Sequence, residues 1–235
     1  MCRLVQSKSL LAAIASRGPD PPMPPTTDAD YEQLVNEALI APFEGWDFSY
    51  LDGRTSPLDL PWDYTARVKT GMQKADSVLD MGTGGGEVFA SLAPFPPRAY
   101  ASEAYAPNLS LARKRLEPLG VIVRDTSEDP ENLQMPFGDE EFALVANRHT
   151  SFNAREVCRV TQPGGSFITQ QCGGYGLVDL VEWFKGTGSV VPIHWTLAIS
   201  TMQLAEAGFE VVDAQEVFPE YSFFDVGAVV YYLQA

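Results

Sequence analysis

The stretch Ser77-Val78-Leu79-Asp80-Met81-Gly82-Thr83-Gly84-Gly85-Gly86-Glu87-Val88-Phe89 decides how this chain folds. An apolar run ends in an acid, turns through glycines and re-emerges with helical patterning. Glycine suits such a turn because it adopts positive φ without steric cost and lets a ligand approach the backbone. The helix start behind it offers unpaired N–H groups and a partial positive charge, a seat for a carboxylate or a phosphate. The dinucleotide fingerprint spaces its glycines G-x-G-x-x-G, whereas this turn reads D-x-G-x-G-x-G.

Outward from that turn, short β-branched runs alternate with helical patterns, the mark of a parallel sheet covered by helices on both faces. Strands are expected at Ser77–Met81, Arg98–Glu103, Val121–Arg124, Phe142–Ala146, Ser166–Gln170 and Phe209–Val217. Pro107 suits the first turn of one intervening helix and Gly120 its end, while Asn153 with Glu156 opens another. Pro163-Gly164-Gly165 breaks the chain before the fifth strand. The fold class is therefore α/β, a doubly wound, mostly parallel Rossmann-like sheet of about seven strands, its last strand open. Glu103 closes the second strand about 20 residues past the glycines, where a carboxylate can accept both hydroxyl protons of a ribose.

Ahead of the sheet, Gly18 to Thr27 carries five prolines and reads as an extended linker. Residues 1–29 are expected to form a flexible leader, 30–76 an N-terminal helical lid and 77–235 the ligand-binding domain. Asp30 is expected to cap the first helix, Pro42 to end it, and a second helix to run from Pro61 to Gly71. Arg3, Lys8 and Arg17 without an acid give residues 1–19 the composition of a mitochondrial presequence; a leader without that role, or a start at Met23, is the plainer expectation. The 31 acidic against 16 basic residues, net charge -15, disfavour a nucleic-acid partner, the one dense basic cluster being Arg113-Lys114-Arg115 on a helix. Cys2, Cys158 and Cys172 form no C-x-x-C pair, so neither zinc nor a disulfide framework is expected. A cytoplasmic setting follows, and no apolar run is long enough to span a bilayer.

The chain resembles class I S-adenosylmethionine-dependent methyltransferases over roughly residues 31 to 217. More narrowly it is similar to a type 11-like, bacterial-type branch marked by APFEGWDFS (Ala41–Ser49), LDMGTGGGEV (Leu79–Val88), NRH (Asn147–His149) and PGGSFITQQ (Pro163–Gln171). The resemblance implies S-adenosylmethionine as cofactor, S-adenosylhomocysteine as product and a small-molecule acceptor. It places Asp80, Gly82, Thr83, Gly84 and Gly86 at the methionine end of the cofactor, Glu103 at the ribose, and Asp125 with Thr126 near the adenine; Asn147 joins this set. RNA base methylation is the alternative substrate reading, and a fold that binds the cofactor for another reaction or as a binding protein is the other. Longer relatives continue beyond FFDVGAVVYYL; the β-rich run Val229-Val230-Tyr231-Tyr232-Leu233 is expected here as the final strand rather than a helix.

Methyl transfer needs an aligned acceptor and, for a weak nucleophile, a base. His149 is the first candidate, just past the fourth strand at the carboxyl edge; alternatively it only hydrogen-bonds a loop. Asn147 and Arg148 share that strand end, where a guanidinium can grip a carboxylate or pair internally. Gln170 and Gln171 end the fifth strand on opposite faces, and Gln171 is the one expected to meet substrate. His194 can enter the pocket or merely cap a helix. Trp46, Tyr50, Trp62 and Tyr64 are candidates for an aromatic cover, some of them plain core, with Trp46 and Tyr64 the substrate choices.

Overall fold

A computed structural model describes residues 2–5, 27–43, 48–176, 178–186 and 195–234. Most of the expected leader, Trp46 and His194 lie outside them. The chain divides into two compact units, one of Met1–Lys8 with Trp62–Phe218 and one of Ser9–Pro61 with Pro219–Ala235. These divisions differ from the boundaries expected after residues 29 and 76.

The first unit is built on seven strands, β1 (Cys2–Val5), β2 (Ser77–Met81), β3 (Arg98–Glu103), β4 (Ile122–Asp125), β5 (Phe142–Arg148), β6 (Thr161–Gln170) and β7 (Phe209–Val212). They form one sheet in the order β4-β3-β2-β5-β6-β1-β7, and every recorded pairing is parallel. A parallel pair needs a long crossover. The helices available for these are α2 (Tyr64–Met72), α3 (Glu87–Ala90), α4 (Ala106–Leu116), α5 (Ala154–Val160), α6 (Val178–Lys185) and α7 (Leu197–Glu206). Successive strand side chains alternate faces. Val78 and Leu144 therefore pack with Val68, Phe89 and Leu116 on one side, and Leu79 and Val145 with Phe142, Phe167 and Leu204 on the other. From β2 the chain builds outward through β3 and β4, then returns to place β5 on the other flank. Ligands of open α/β sheets bind at the carboxyl edge of that reversal. There Asp80 stands opposite Ala146, and Met81 opposite Asn147.

Several expectations change. Cys2–Val5, read as leader, forms a strand between β6 and β7, with Cys2 opposite Phe209 and Arg3 opposite Ser166. The strand β6 begins at Thr161, before Pro163-Gly164-Gly165; the register slips there, from Phe142 opposite Thr161 to Leu144 opposite Ser166, so the expected break is a bulge. Val226–Gln234 is a helix, not the last strand.

That helix, α8, belongs to the second unit with α1 (Asp28–Ile40). Gly227, Ala228 and Tyr231 fall on one helical face and are buried, and Ala38 joins Ala228 and Tyr231 in an apolar cluster. Helical packing thus overrides the β preference of Val229 to Leu233. Thr27, rather than Asp30, is the N-cap of α1; its hydroxyl accepts the Asp30 N–H, and the Asp30 carboxylate accepts the Thr27 N–H at 3.0 Å. Tyr50 stacks on Tyr231 at 4.4 Å, under the Arg54 guanidinium that is paired with Asp225, so it is core of this unit. No helix among the described residues is long and apolar enough to cross a membrane.

Candidate functional site

The turn after β2 needs its glycines. Gly82, Gly84 and Gly86 have φ of +62, +63 and +82°. A Cβ on Gly82 would stand 2.5 Å from the Thr150 side chain, and one on Gly86 2.9 Å from Leu116. The Thr83 N–H donates to the Ser102 carbonyl at 2.9 Å, which ties the turn to β3. Arg115 braces it from α4, its guanidinium donating to the Gly85 carbonyl and pairing with Glu87 at 2.5 Å. Part of the basic cluster is thus a strut for the turn, a role the sequence signals only by its charge.

Three acids line the carboxyl edge in different states. Burial pushes the Asp80 carboxyl up to about 7; the Thr83 hydroxyl and the Arg148 charge oppose this, and the Glu103 charge adds to it. Glu103, also buried, is already engaged: Oε1 accepts the N–H groups of Ala104 at 2.9 Å and Tyr105 at 2.8 Å, and Oε2 that of Gly84 at 2.7 Å. A carboxylate offers roughly four lone-pair sites, so one, on Oε2, is left for a hydroxyl where the sequence suggested two. Asp125 ends β4 with its carboxyl held low by hydrogen bonds from Ser127. Thr126 is buried behind it, its N–H donating to the Glu103 carbonyl at 3.0 Å.

Across the reversal, β5 delivers Asn147, Arg148 and His149. Asn147 is fully buried; its Oδ1 accepts from Thr169 at 2.9 Å and from Gln171, and its Nδ2 has no partner among the described residues. The Ser102 hydroxyl, in the strand on the other flank of β2, is buried and likewise without a partner among the described residues. Arg148 is exposed, and its charge acts on both Asp80 and the buried Tyr64 hydroxyl. The Tyr64 phenol is pushed well up, first by burial and then by the Asp80 charge, so it stays protonated.

His149 adopts φ +59°, uncommon without glycine, and its N–H donates to the Gln170 carbonyl at 2.9 Å. Desolvation, and then the Arg148 charge, hold its pKa below the ordinary histidine value. Gln171, expected at the substrate, instead turns inward to Thr150, Thr169 and Asn147. Its neighbour Gln170 is the one beside His149, at 3.1 Å, with Trp62 bonded to its other end at 2.9 Å. Cys172 Sγ, for which the sequence shows no activating basic neighbour, lies 3.9 Å from His149 Nδ1. No cluster of His, Cys, Asp or Glu among the described residues is placed to hold a metal ion.

This edge suits a ligand carrying positive charge and hydroxyls. Asp80 is a half-buried carboxyl that a bound cation would ionise, Oε2 of Glu103 keeps one acceptor position, and Asn147 and Ser102 keep unspent donors among the described residues.

Residues 79–169, from β2 to β6, match the family model of the methyltransferase domain. A protein of Bacillus halodurans C-125 described as a candidate methyltransferase is 28% identical, over 63% of this chain and 69% of its own, with a TM-score of 0.50. A SAM-dependent methyltransferase of Aquifex aeolicus is 20% identical over 69% of this chain and 83% of its own, with a TM-score of 0.47. The YcgJ protein of Bacillus subtilis is 21% identical over 44% of this chain, which spans about half, 48%, of that protein, with a TM-score of 0.38. No curated protein matches the chain significantly. Residues 79–169 are thus similar to methyltransferase domains, set on a parallel α/β sheet.

Proposed function

We propose that this chain is a class I S-adenosylmethionine-dependent methyltransferase that alkylates an O, N or C atom of a small molecule, with S-adenosylmethionine across the carboxyl edge of β2, β3 and β4 and the acceptor over β5 and β6. The observation that carries the reading is Asp80, a half-buried carboxyl in β2 just ahead of the glycine turn that desolvation raises to about 7. Ionising it there is unfavourable without a cation, and the ammonium of the cofactor's methionine end supplies one. Gly82, Thr83, Gly84 and Gly86 form the backbone cradle, the open position on Glu103 Oε2 takes a ribose hydroxyl, and Asp125 with Thr126 borders the adenine. When bound, the cofactor's sulfonium supplies an electrophilic methyl group.

On the acceptor side, His149 is neutral at pH 7 and is our candidate for receiving the proton of a weak nucleophile. Arg148, exposed beside it, suits a carboxylate on acceptor or cofactor. Asn147 presents its buried Nδ2 as a donor and orients Gln171 from below. Tyr64 closes the Asp80 side as a protonated phenol. A small acceptor is favoured over RNA because the net charge is -15 and Arg115 of the basic cluster is spent on the glycine turn. The three cysteines of the sequence, without C-x-x-C spacing, support a cytoplasmic setting.

The test is incubation with methyl-labelled S-adenosylmethionine and fractionated cell extract, read by mass spectrometry. Label should enter the small-molecule fraction with wild type and not with Asp80→Asn. Label confined to RNA would overturn the small-molecule reading.

A further inference from the structure

Gln170 stands between Trp62 and His149 at the end of β6. The Trp62 Nε1–H donates to Gln170 Oε1 at 2.9 Å. An indole N–H has no capacity to accept, so the carboxamide oxygen must face Trp62 and the NH₂ must face His149. That NH₂ lies 3.1 Å from His149 Nε2. A ring nitrogen receiving an N–H must carry the lone pair, which leaves the ring proton on Nδ1, the atom facing Cys172 Sγ at 3.9 Å. The backbone fixes the same pair, since the His149 N–H donates to the Gln170 carbonyl. His149 is thus held by Gln170 through both main chain and ring.

We infer that Gln170, oriented by Trp62, is a positioning residue that locks His149 in the neutral tautomer with its proton on Nδ1 and its lone pair on Nε2. The functional consequence rests on reading His149 as the acceptor-side group; the tautomer itself is a property of the chain alone. In this arrangement the ring presents an N–H from Nδ1. It takes up a proton at Nε2 only when the Gln170 carboxamide turns over, which breaks the bond to Trp62. Base action is thereby gated by a side chain that need not touch the acceptor. Among the described residues, the other ionisable groups at the ring are Arg148, whose charge also opposes an imidazolium, and the Cys172 thiol.

Long-range proton–nitrogen NMR correlations on the full chain labelled with ¹⁵N-histidine test this directly. There are two histidines, and His149→Asn assigns the signals. Wild type should show the Nδ1–H pattern and titrate below the ordinary midpoint of about 6.5. Gln170→Glu should reverse the pattern, because a carboxylate accepts Nε2–H, and raise the midpoint by roughly one unit or more. Trp62→Phe should free the carboxamide and give a mixture of tautomers. An Nε2–H pattern in wild type, or a pattern unmoved by both variants, would overturn the inference. S-adenosylmethionine titrated into the same samples separates the two readings. A locked tautomer without cofactor binding sinks the proposed site and leaves the lock; binding with an unlocked ring does the reverse.

Discussion

Glu103 Oε2 accepts the Gly84 N–H at 2.7 Å, so the acid that closes β3 is fastened to the turn that closes β2. With Ala104 and Tyr105 on Oε1, the same carboxylate also holds the start of α4. Hydrogen bonds to a charged group are each worth about 1.5–3 kcal/mol. Glu103→Ala should therefore lower the melting temperature of the cofactor-free protein and weaken S-adenosylmethionine by at least about tenfold, as read by calorimetry. Glu103→Gln keeps one carbonyl acceptor and should fall between. A loss of affinity with unchanged melting temperature would show that the ligand contact, and not the fastening, is what matters.

Asp80 makes cofactor affinity depend on pH. Its carboxyl titrates at about 7, and a cationic ligand needs the ionised form. Affinity should be full above that pH and fall by up to tenfold for each unit below it.

The same group opposes folding when empty. The unfolded carboxyl ionises near 3.9 and the folded one at about 7, so the folded state binds more protons between these values and stability falls as pH rises through that window. The full difference corresponds to about 4 kcal/mol as an upper figure. Asp80→Asn should thus melt higher than wild type at pH 8 without ligand, and lose the advantage at pH 4, while binding cofactor far more weakly. A variant less stable at pH 8 would contradict the burial argument.

Gly82→Ala should destabilise the protein by at least about 1–2 kcal/mol from its φ alone. The clash with Thr150 adds to this, since the new Cβ would lie 2.5 Å from that side chain. Thr150→Gly should be less harmful in the Gly82→Ala background than in wild type. Chemical denaturation of the double-mutant cycle measures the difference, and additivity would show the two positions to be uncoupled.

His149→Ala should leave S-adenosylmethionine affinity within about threefold, and, once an acceptor is known, reduce transfer to it by roughly 10² to 10⁴. Lost cofactor binding in this variant would move His149 from the acceptor side to the cofactor side.

The strand, glycine turn and helix at Ser77 to Phe89 were legible because each signal is local: apolar run, acid, glycines that only positive φ explains. Cys2–Val5 was not, since four residues carry no period and their strand exists through distant parallel pairing with β6 and β7. The terminal Val226–Gln234 misleads by composition, and only the burial of Gly227, Ala228 and Tyr231 makes it a helix. At the site, strand alternation indicates that Gln170 and Gln171 face opposite ways, but not which one meets His149. That depends on the register of β6 against β5, with Arg148 opposite Gln170, and on Trp62 arriving from 108 residues away. The acids were legible by position alone. Their states were not, because the Asp80 shift and the three N–H bonds on Glu103 arise from packing.

Isothermal titration of the wild-type chain at pH 8 with S-adenosylmethionine, S-adenosylhomocysteine and NAD tests the central assignment most directly. Saturable one-site binding of the first two, abolished in Asp80→Asn, with no response to NAD, is the predicted result. A folded protein that takes up neither sulfur ligand, or that binds NAD instead, would contradict it.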